Sequence, residues 1–330
     1  MDGRPTVAIT DSNLASSADE DILREAGITP VRLHAITEDD VIAALSGVPA
    51  AALIVQWAPV TAAVLDAAPG CRFVSRLGIG YEMIDVASAT RRGVAVANTP
   101  DYCVDEVAAH TLAMMLWLVR GLGQFDAAIR AGKWAAAAAY PAAARPADTV
   151  IGVVGIGRIG SRVAAQAKAL GFQVIAHDPY AAPGGDIPLT SLENLLRSSH
   201  VVTLHAPLTA ETRHLIRADT IALMRPRALL VNTCRGGLID EAAAAAALQS
   251  GRLGGAALDV FETEPLPESS PLRSLPNVLL SPHAAWYSPA SLAALPVQAA
   301  QQVVAFLAGL SVPSIVNPEY LKHEARVSTV

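Results

Sequence analysis

The sequence predicts an α/β protein with two doubly wound domains, each built on a parallel sheet. Short apolar runs alternate with helical segments along the chain, which is the pattern of parallel strands joined by covering helices. This alternation stops at a long apolar helix and an alanine-rich segment, and it starts again at Thr149. The chain has 330 residues, enough for two domains with separate cores.

The first hundred residues contain the first α/β series. Its apolar runs are bounded by Gly, Pro, Asn or Asp, as strands are, and its helical segments have a period near 3.6. The predicted strands are 6–10, 51–56, 72–78 and 93–99, and the predicted helices are 19–27, 39–47 and 61–68.

The connection between the two series differs from both of them. Residues 105–122 are predicted to form one long apolar helix. The alanine-rich segment 133–148 contains Pro141 and Pro146, and because proline interrupts helices we expect an irregular arm there. A partner subunit is one surface that this arm could cover, but the sequence does not define the conformation of the arm.

The second series begins at Thr149 and ends in a long helix. Its predicted strands are 150–155, 173–178, 200–206, 228–233, 255–260 and 277–282, with helices at 159–171 and 240–251. The last helix, 289–310, is expected to pack back on the first domain, and the tail from Lys322 onward is expected to be loose.

Charge, cysteine content and the N-terminal residues indicate which partners and which cellular location to expect. The net charge is −6, and no block of Lys and Arg occurs, so we expect neither nucleic acid nor a membrane surface as a partner. Cys71, Cys103 and Cys234 lie far apart without a C-x-x-C pair, which argues against a disulfide framework and against a metal site. The N-terminal residues lack the pattern of a signal peptide, and the apolar run 107–119 is too short to cross a bilayer. We therefore expect a cytoplasmic protein.

The strongest single motif is Gly155-x-Gly157-x-x-Gly160, which follows a predicted strand and opens a predicted helix. Gly155 permits a tight turn, Gly157 lets a pyrophosphate approach the backbone, and Gly160 lets the helix pack on the strand. The free N–H groups and dipole of the helix start attract phosphates. Asp178 ends the next strand, where its carboxylate can accept hydrogen bonds from ribose hydroxyls and would repel a 2′-phosphate. The unit therefore predicts NAD, whereas an isolated glycine motif could consist of turn residues only.

Three later segments carry a family resemblance: "NTCRGGLID" at 232–240, "LDVFETEPLP" at 258–267 and "SPHAAWYS" at 281–288. Together with the glycine motif they resemble the D-isomer-specific 2-hydroxyacid dehydrogenases, in the order of that family and over nearly the whole chain. The resemblance implies a flavodoxin-like substrate-binding domain at 1–100, completed by 288–330, and a Rossmann NAD-binding domain at 101–287. It also implies a homodimer.

The same resemblance assigns the catalytic residues. Reduction of a 2-keto acid needs a hydride at the keto carbon and a proton at its oxygen, and His283 is the predicted general acid/base. Glu264 would stabilise positive charge on that imidazole, and Arg235 offers a planar fork to the substrate carboxylate. Taken alone, Arg235 could be a surface charge and His283 a structural histidine. Glu264 is preferred to Glu262 because it directly precedes a proline, as in the family motif.

Further cofactor contacts complete the prediction. Asp259 matches the family residue that contacts the nicotinamide carboxamide, and Thr111 has the alternative of a helix-interior hydroxyl bonded to its own backbone. The remaining predicted cofactor-binding residues are Arg158, Ile159, His205, Ala206, Pro207, Thr212, Thr233, Cys234 and Val104.

The segments "HAAWYS", "RLGIGYEMID" and "HDPY" resemble the C-terminal-binding-protein branch of the family more narrowly. There the equivalents of Trp286, Arg76 and Gly80 face the substrate. Gly78 and Ile79 are predicted to present backbone N–H groups to its carboxylate. Trp286 could instead fill a core or a dimer contact, and Arg76 could form a salt bridge.

The leading hypothesis is an NAD-dependent D-2-hydroxyacid dehydrogenase that works mainly as a 2-keto acid reductase. If Trp286 lines the pocket, its aromatic ring favours a 2-keto acid with a sizeable or thioether side chain. One alternative is an NAD(H)-responsive binding protein of corepressor type with little turnover, and another is a phosphite-dehydrogenase-like enzyme. Formate dehydrogenases carry Gln where Glu264 stands, which disfavours them. The sequence does not name the physiological 2-hydroxy acid.

Overall fold

The computed structural model describes residues 4–12, 14, 16–134, 136–140, 142–182 and 184–322. The break predicted at Pro141 lies outside the described residues, and so does the tail beyond Lys322. The chain divides into two compact units, Met1–Cys103 with Ser288–Val330 and Val104–Tyr287. These are called unit 1 and unit 2 below.

The strands fall into two sheets. In chain order they are β1 (Thr6–Ile9), β2 (Thr29–Arg32), β3 (Ala50–Val55), β4 (Phe73–Arg76), β5 (Ala95–Ala97), β6 (Val150–Val154), β7 (Gln173–His177), β8 (Val201–Leu204), β9 (Ala228–Asn232), β10 (Leu253–Leu258) and β11 (Val278–Leu280).

The helices cover these sheets. In chain order they are α1 (Ala18–Glu25), α2 (Glu38–Leu45), α3 (Ala62–Ala67), α4 (Val86–Arg91), α5 (Val104–Arg120), α6 (Leu122–Arg130), α7 (Ala136–Ala139), α8 (Arg158–Ala169), α9 (Leu192–Ser198), α10 (Ala218–Leu223), α11 (Glu241–Gln249) and α12 (Pro289–Leu307).

The sheet of unit 1 has the order β2-β1-β3-β4-β5, and all of its strand pairs are parallel. This is the flavodoxin-like order, so the predicted fold class is confirmed for this unit. The last helix, α12, packs on this sheet as predicted, because Leu295, Ala299 and Val303 share a core with Phe73 and Leu77.

Helix α12 is long and apolar enough to cross a membrane by length and composition alone. The bent pair of α5 and α6 passes the same test when the two are taken together. A core helix of a folded domain passes this test as well, and α12 has such a core face.

Two short elements of unit 1 are absent from the prediction. Strand β2 contains Pro30, which cannot donate a hydrogen bond to a sheet. The sheet tolerates this proline because β2 lies at its edge. Helix α4 has the sequence VASATR, in which Val86 is the only large apolar residue, so no apolar period marks it as a helix.

The sheet of unit 2 has the order β11-β10-β9-β8-β6-β7, with every pair parallel. Leu189 adds an isolated parallel bridge beside β7. The direction of winding reverses between β6 and β8, and ligands of such sheets bind at the carboxyl ends of the strands near this point. The predicted doubly wound parallel sheet is confirmed.

The first part of unit 2, before its sheet, is more regular than predicted. Gly121 adopts a φ of 65°, a left-handed conformation that costs glycine little, and the predicted long helix ends there. A second helix, α6, follows at once, and the alanine-rich segment contains the short helix α7.

Candidate active site

One edge of the unit 2 sheet gathers most of the predicted site. The glycine turn follows the end of β6, Arg235 follows β9, Glu264 follows β10 and His283 follows β11. Because the strands are parallel, all four loops leave the sheet at its carboxyl edge. The sequence therefore brings these groups together through topology, although they are distant along the chain.

The three glycines of the turn have different surroundings. Gly155 has a φ of 88°, and a Cβ there would lie 2.7 Å from the His205 backbone. A Cβ on Gly160 would lie 2.0 Å from the carbonyl oxygen of Gly155, so this glycine allows α8 to pack closely. A Cβ on Gly157 would meet no protein atom within 4 Å. Protein packing therefore explains two of the glycines, and the open face at Gly157 is the room that a bound pyrophosphate needs.

Helix α8 begins directly at this turn. Gly157 is its N-cap residue, and the helix continues for 12 residues through Arg158 and Ile159. The first N–H groups of such a helix lack partners within the helix and favour an anion. The residues present therefore fit the diphosphate part of a dinucleotide.

Asp178 lies beside the turn, at the end of β7. One carboxylate oxygen accepts a hydrogen bond from the Ile156 N–H at 3.0 Å, and the other accepts one from the Tyr180 N–H at 2.9 Å. Each oxygen has a further lone pair for a ribose hydroxyl. These backbone bonds fix a negative charge next to the glycine turn.

His283 and Glu264 form a direct pair. His283 Nδ1 lies 2.7 Å from Glu264 Oε2, and Glu264 Oε1 accepts the Phe261 N–H at 2.9 Å. Burial raises the pKa of the Glu264 carboxyl, but the hydrogen bond and charge of His283, the Phe261 N–H and the Arg235 charge outweigh it and hold that pKa below its usual value. Glu264 is therefore ionised at neutral pH. Its contact with Nδ1 orients the imidazole ring.

Glu262 has a different partner from Glu264. Its Oε1 pairs with His214 Nε2 at 2.5 Å, and its Oε2 accepts the Glu241 N–H at 3.3 Å. The proline-adjacent glutamate is thus the one that contacts His283.

The loop that carries His283 is held by Asp259. This carboxylate is fully buried and accepts the N–H groups of Ala284 and Ala285, each at 2.9 Å, and the hydroxyl of Ser281. The His283 N–H donates to the Asp259 carbonyl at 2.7 Å. These bonds hold His283 at a φ of 53°, a conformation rare for a residue with a side chain.

This clamp was not expected from the sequence, which assigns Asp259 to the cofactor. His110 extends the clamp, with Nε2 at 3.1 Å from Ser281 Oγ. A polar residue at the end of β10 is the only signal that the sequence offers. Contact of Asp259 with a nicotinamide carboxamide stays a prediction.

Arg235 is placed by its own strand end. Asn232 donates to the Arg235 carbonyl at 2.8 Å and accepts the Cys234 N–H at 3.0 Å, which fixes the turn. The guanidinium is half-buried, donates to the Cys234 carbonyl at 2.6 Å, and lies near enough to Glu264 to lower its pKa. Arg235 therefore belongs to the same cluster as the histidine–glutamate pair.

The other predicted cofactor residues after β8 and β9 are held by internal bonds. Burial lowers the pKa of His205 to about 4, so this ring is neutral, and its Nε2 lies 2.9 Å from Thr203 Oγ1. The Cys234 thiol donates to the Ala206 carbonyl at 3.0 Å, and Thr212 Oγ1 donates to the Pro207 carbonyl at 2.6 Å. Contacts of this loop with a cofactor stay predictions.

Thr111 and Thr233 meet inside unit 2, with their hydroxyls 2.7 Å apart. Thr111 is fully buried, and its hydroxyl also bonds to the Val107 carbonyl at 2.7 Å. This is the helix-interior arrangement that the sequence left open as the alternative for Thr111. Val104 is the first residue of α5.

The predicted substrate residues of unit 1 form a folded loop after β4. Arg76 is 5% exposed, its guanidinium lies 5.1 Å from the Trp57 ring centroid, and Nη1 donates to the Leu77 carbonyl at 2.7 Å. A Cβ on Gly78 would fall 1.3 Å from that nitrogen, so Gly78 allows the arginine to fold over it. Trp57 was missed because a single aromatic residue after a strand carries no specific signal.

The amides of this loop differ from the prediction. The Gly78 N–H donates to Thr99 Oγ1 at 2.7 Å, so it is engaged inside the protein and is not presented to a substrate carboxylate as expected. Within the described part of the chain the Ile79 N–H has no such bond. Gly80 is buried next to it.

Trp286 lies three residues after His283 in unit 2. It is half-buried, and its ring meets the Tyr287 ring edge-on, with centroids 5.8 Å apart and an interplanar angle of 89°. An aromatic pair therefore stands on the loop that carries the histidine.

Comparison with known proteins yields consistent similarities. The NAD-binding-domain model of the D-isomer specific 2-hydroxyacid dehydrogenases matches residues 112–285. A glyoxylate reductase of Korarchaeum cryptofilum is 38% identical over 271 residues, which are 80% of this chain and 81% of that protein. A glyoxylate reductase of Aeropyrum pernix is 39% identical over 78% of this chain and 80% of its own length. The D-lactate dehydrogenase of Aquifex aeolicus, solved with NAD and lactic acid, has a TM-score of 0.80 at 29% identity, covering 92% of this chain and 96% of that one.

Proposed function

The chain belongs to the D-isomer-specific 2-hydroxyacid dehydrogenase family, and from that premise we propose how its residues carry the reaction. It is an NAD-dependent oxidoreductase that acts on the CH–OH group of 2-hydroxy acids and reduces the matching 2-keto acids. The observation that carries the residue assignment is the 2.7 Å contact between His283 and Glu264, in the cluster with Arg235 at the carboxyl edge of the sheet that holds the glycine turn.

His283 is the general acid/base of the proposed mechanism. Glu264 contacts Nδ1, and we assign to Nε2 the delivery of a proton to the keto oxygen during reduction. The ionised carboxylate stabilises the positive charge that the ring carries before the transfer. In the oxidation direction the same nitrogen takes the proton back.

Arg235 is the proposed substrate-orienting residue. Its guanidinium can donate two parallel hydrogen bonds to a carboxylate, and a substrate held in this way presents its keto group to His283. The turn bonds of Asn232 keep the arginine in place. Because the arginine is already in position, less entropy is lost when the substrate is oriented for reaction.

NAD is the cofactor, and when bound it supplies or accepts the hydride. The open face at Gly157 and the start of α8 fit its pyrophosphate. Asp178 is proposed to bind the adenosine ribose hydroxyls. Its fixed negative charge would repel the 2′-phosphate of NADP, which supports NAD as the preferred form.

The substrate proposed is a small 2-keto acid. The relatives are named for glyoxylate, and the solved relative binds lactic acid. Trp286 on the His283 loop supports a 2-keto acid with a side chain larger than that of glyoxylate. Arg76, the Ile79 N–H and Gly80 in unit 1 are proposed as further substrate contacts, and the stacking of Arg76 on Trp57 supports a fixed arginine there.

Three finer proposals come from the sequence. The chain is placed nearest the C-terminal-binding-protein branch on the segments around Trp286 and Arg76. It is proposed to act as a homodimer, as the family resemblance implies, and in the cytoplasm. None of the three cysteines forms a disulfide, and two of them are buried, which suits a reducing compartment.

The test is NADH oxidation with a panel of 2-keto acids that differ in side-chain size, together with the configuration of the product. We expect turnover with at least one member and a D-2-hydroxy acid as product. Saturable NADH binding without turnover across the panel would instead support an NAD(H)-responsive binding protein.

A further inference from the structure

A second concave site lies at the opposite edge of the unit 2 sheet. It is a cavity of about 110 Å³ formed where β8, β9 and β10 begin, with the segment after α7 as one wall. His200, Arg225 and Arg227 line it. The glycine turn, Arg235 and His283 follow the carboxyl ends of β6, β9 and β11, at the opposite edge of the same sheet, so the reaction proposed above does not use this cavity.

The cavity has a positive lining without a compensating carboxylate. Arg225 and Arg227 are both exposed, and within the part of the chain that the structure describes neither of them forms an ion pair. None of the described residues that line the cavity is acidic. The chain has a net charge of −6 and so has more carboxylates than cationic side chains. Two guanidiniums without an ion pair at one cavity therefore leave a local positive charge that an anion can neutralise.

The loop that carries the two arginines is rigid. Arg252 donates to the carbonyls of Arg225 at 2.8 Å and of Ala222 at 3.0 Å, and its own carbonyl accepts the Arg227 N–H at 2.9 Å. Gly254 packs directly on this loop, since a Cβ there would lie 2.4 Å from the Arg227 carbonyl oxygen. The guanidiniums are therefore attached to a fixed frame.

Arg227 stands in a conformation that favours glycine. Its φ is 62°, in the left-handed region that non-glycine residues rarely adopt. Such local strain persists where the surroundings impose it, and it is concentrated at binding sites. A side chain kept at this position, against the backbone preference, points to a role for the guanidinium.

His200 adds a directed hydrogen-bond donor. Its Nδ1 accepts the Val150 N–H at 3.0 Å, so the neutral ring carries its proton on Nε2. Burial and the Arg225 charge lower the pKa of His200, which keeps the ring neutral at pH 7. Within the described residues Nε2 has no hydrogen-bond acceptor.

We propose that this cavity binds the phosphate group of a small molecule, with Arg225 and Arg227 neutralising its charge and His200 Nε2–H donating to one oxygen. Two guanidiniums match the double negative charge of phosphate better than the single charge of a carboxylate. The planar forks can each give two hydrogen bonds to phosphate oxygens. The small volume excludes a nucleotide base but admits a phosphate group whose remainder extends into solvent.

Calorimetric titration of the NADH-saturated enzyme with inorganic phosphate, at low and constant ionic strength, tests this proposal. NADH occupies the glycine turn, so that site does not contribute. We expect saturable binding at one site per chain, and about tenfold or greater weakening in Arg225→Gln and in Arg227→Gly. Arg227→Gly suits the left-handed backbone, so folding is preserved while the charge is removed.

Controls separate this site from other sources of anion binding. Arg72→Gln, which removes an exposed arginine of unit 1, should leave the phosphate affinity unchanged. A loss of binding in Arg235→Gln with retention in Arg227→Gly would place the phosphate in the active site and overturn the proposal. Acetate binding as tight as phosphate, or the absence of saturable binding, would overturn it too. Titration with glycerol 3-phosphate distinguishes a monoester ligand from the free ion.

Discussion

At the scale of single residues, two atoms of His283 make hydrogen bonds that position its ring. Nδ1 is committed to Glu264, and the backbone N–H is committed to the Asp259 carbonyl. Nε2 is the nitrogen to which we assign proton exchange with the substrate. The ring is therefore positioned from two sides, by a carboxylate and by a clamped loop.

Glu264→Gln tests the electrostatic part of this arrangement. We expect kcat for keto-acid reduction to fall by about 100-fold, the lower end of what a positioned proton donor contributes. The neutral amide no longer stabilises positive charge on the imidazole ring. Glu262→Gln, which removes the partner of His214, is the matched control and should leave kcat near the wild-type value.

The lowered pKa of Glu264 also predicts a dependence of stability on pH. A carboxyl whose pKa is lowered by folding stabilises the protein above its unfolded-state pKa, and this contribution is lost as pH falls through the folded-state pKa. Thermal unfolding of wild type should therefore lose stability below about pH 4.5 more steeply than Glu264→Gln. Parallel curves for the two proteins would show that Glu264 is not held in its ionised form by folding.

Asp178→Ala tests the cofactor preference. We expect NADH affinity to fall about tenfold through the loss of charged hydrogen bonds to the ribose, and discrimination against NADPH to decrease. Asp178→Asn keeps an acceptor for the Ile156 N–H but removes the charge, so it separates repulsion from loop geometry. Fluorescence titration with both cofactors gives the affinities, and a wild type that prefers NADPH would contradict the assignment.

The functional residues that stand in a motif could be predicted from the sequence. The contacts that hold those residues in place could not. The glycine turn, Arg235, Glu264 and His283 stand in motifs with characteristic spacing. The clamp made by Asp259, the bond from Gly78 to Thr99 and the stacking of Trp57 on Arg76 depend on chain segments far apart in sequence, so no local pattern reports them.

At the scale of elements, the turn between β6 and α8 separates structural glycines from a binding glycine. Gly160→Ala should destabilise the fold by about 1–3 kcal/mol, because the added Cβ overpacks the start of α8 against the Gly155 carbonyl. Gly157→Ala meets open space in the protein, so its Tm should stay near that of wild type while its NADH affinity falls about tenfold or more. Calorimetry and NADH titration of the two variants give this contrast. Equal loss of stability in both would assign a purely structural role to Gly157.

Elements were predictable where their pattern is long or repeated. The strands of both sheets other than β2 and the long helices agree with their apolar runs. The edge strand β2 was missed because Pro30 is tolerated only at an edge, which is a property of the sheet and not of the segment. The break at Gly121 depends on its left-handed φ, which glycine permits without requiring it.

At the scale of the whole molecule, both sheets are parallel and doubly wound, as the alternation of strands and helices predicts. Parallel winding places every functional loop of unit 2 at one carboxyl edge and leaves the amino edge for other uses. The reductive chemistry and the proposed phosphate cavity are thus assigned to opposite edges of the same sheet.

The role of His283 as proton donor is tested most directly by rapid mixing of the enzyme–NADH complex with a 2-keto acid that the wild type reduces. The measurement is made for wild type and for His283→Ala. Each enzyme is used at a concentration at which NADH is fully bound. The account predicts that His283→Ala binds NADH with wild-type affinity and that its single-turnover rate of NADH oxidation falls by a factor of at least about 100. Oxidation of bound NADH by the variant at the wild-type rate would contradict the assignment of the proton to His283.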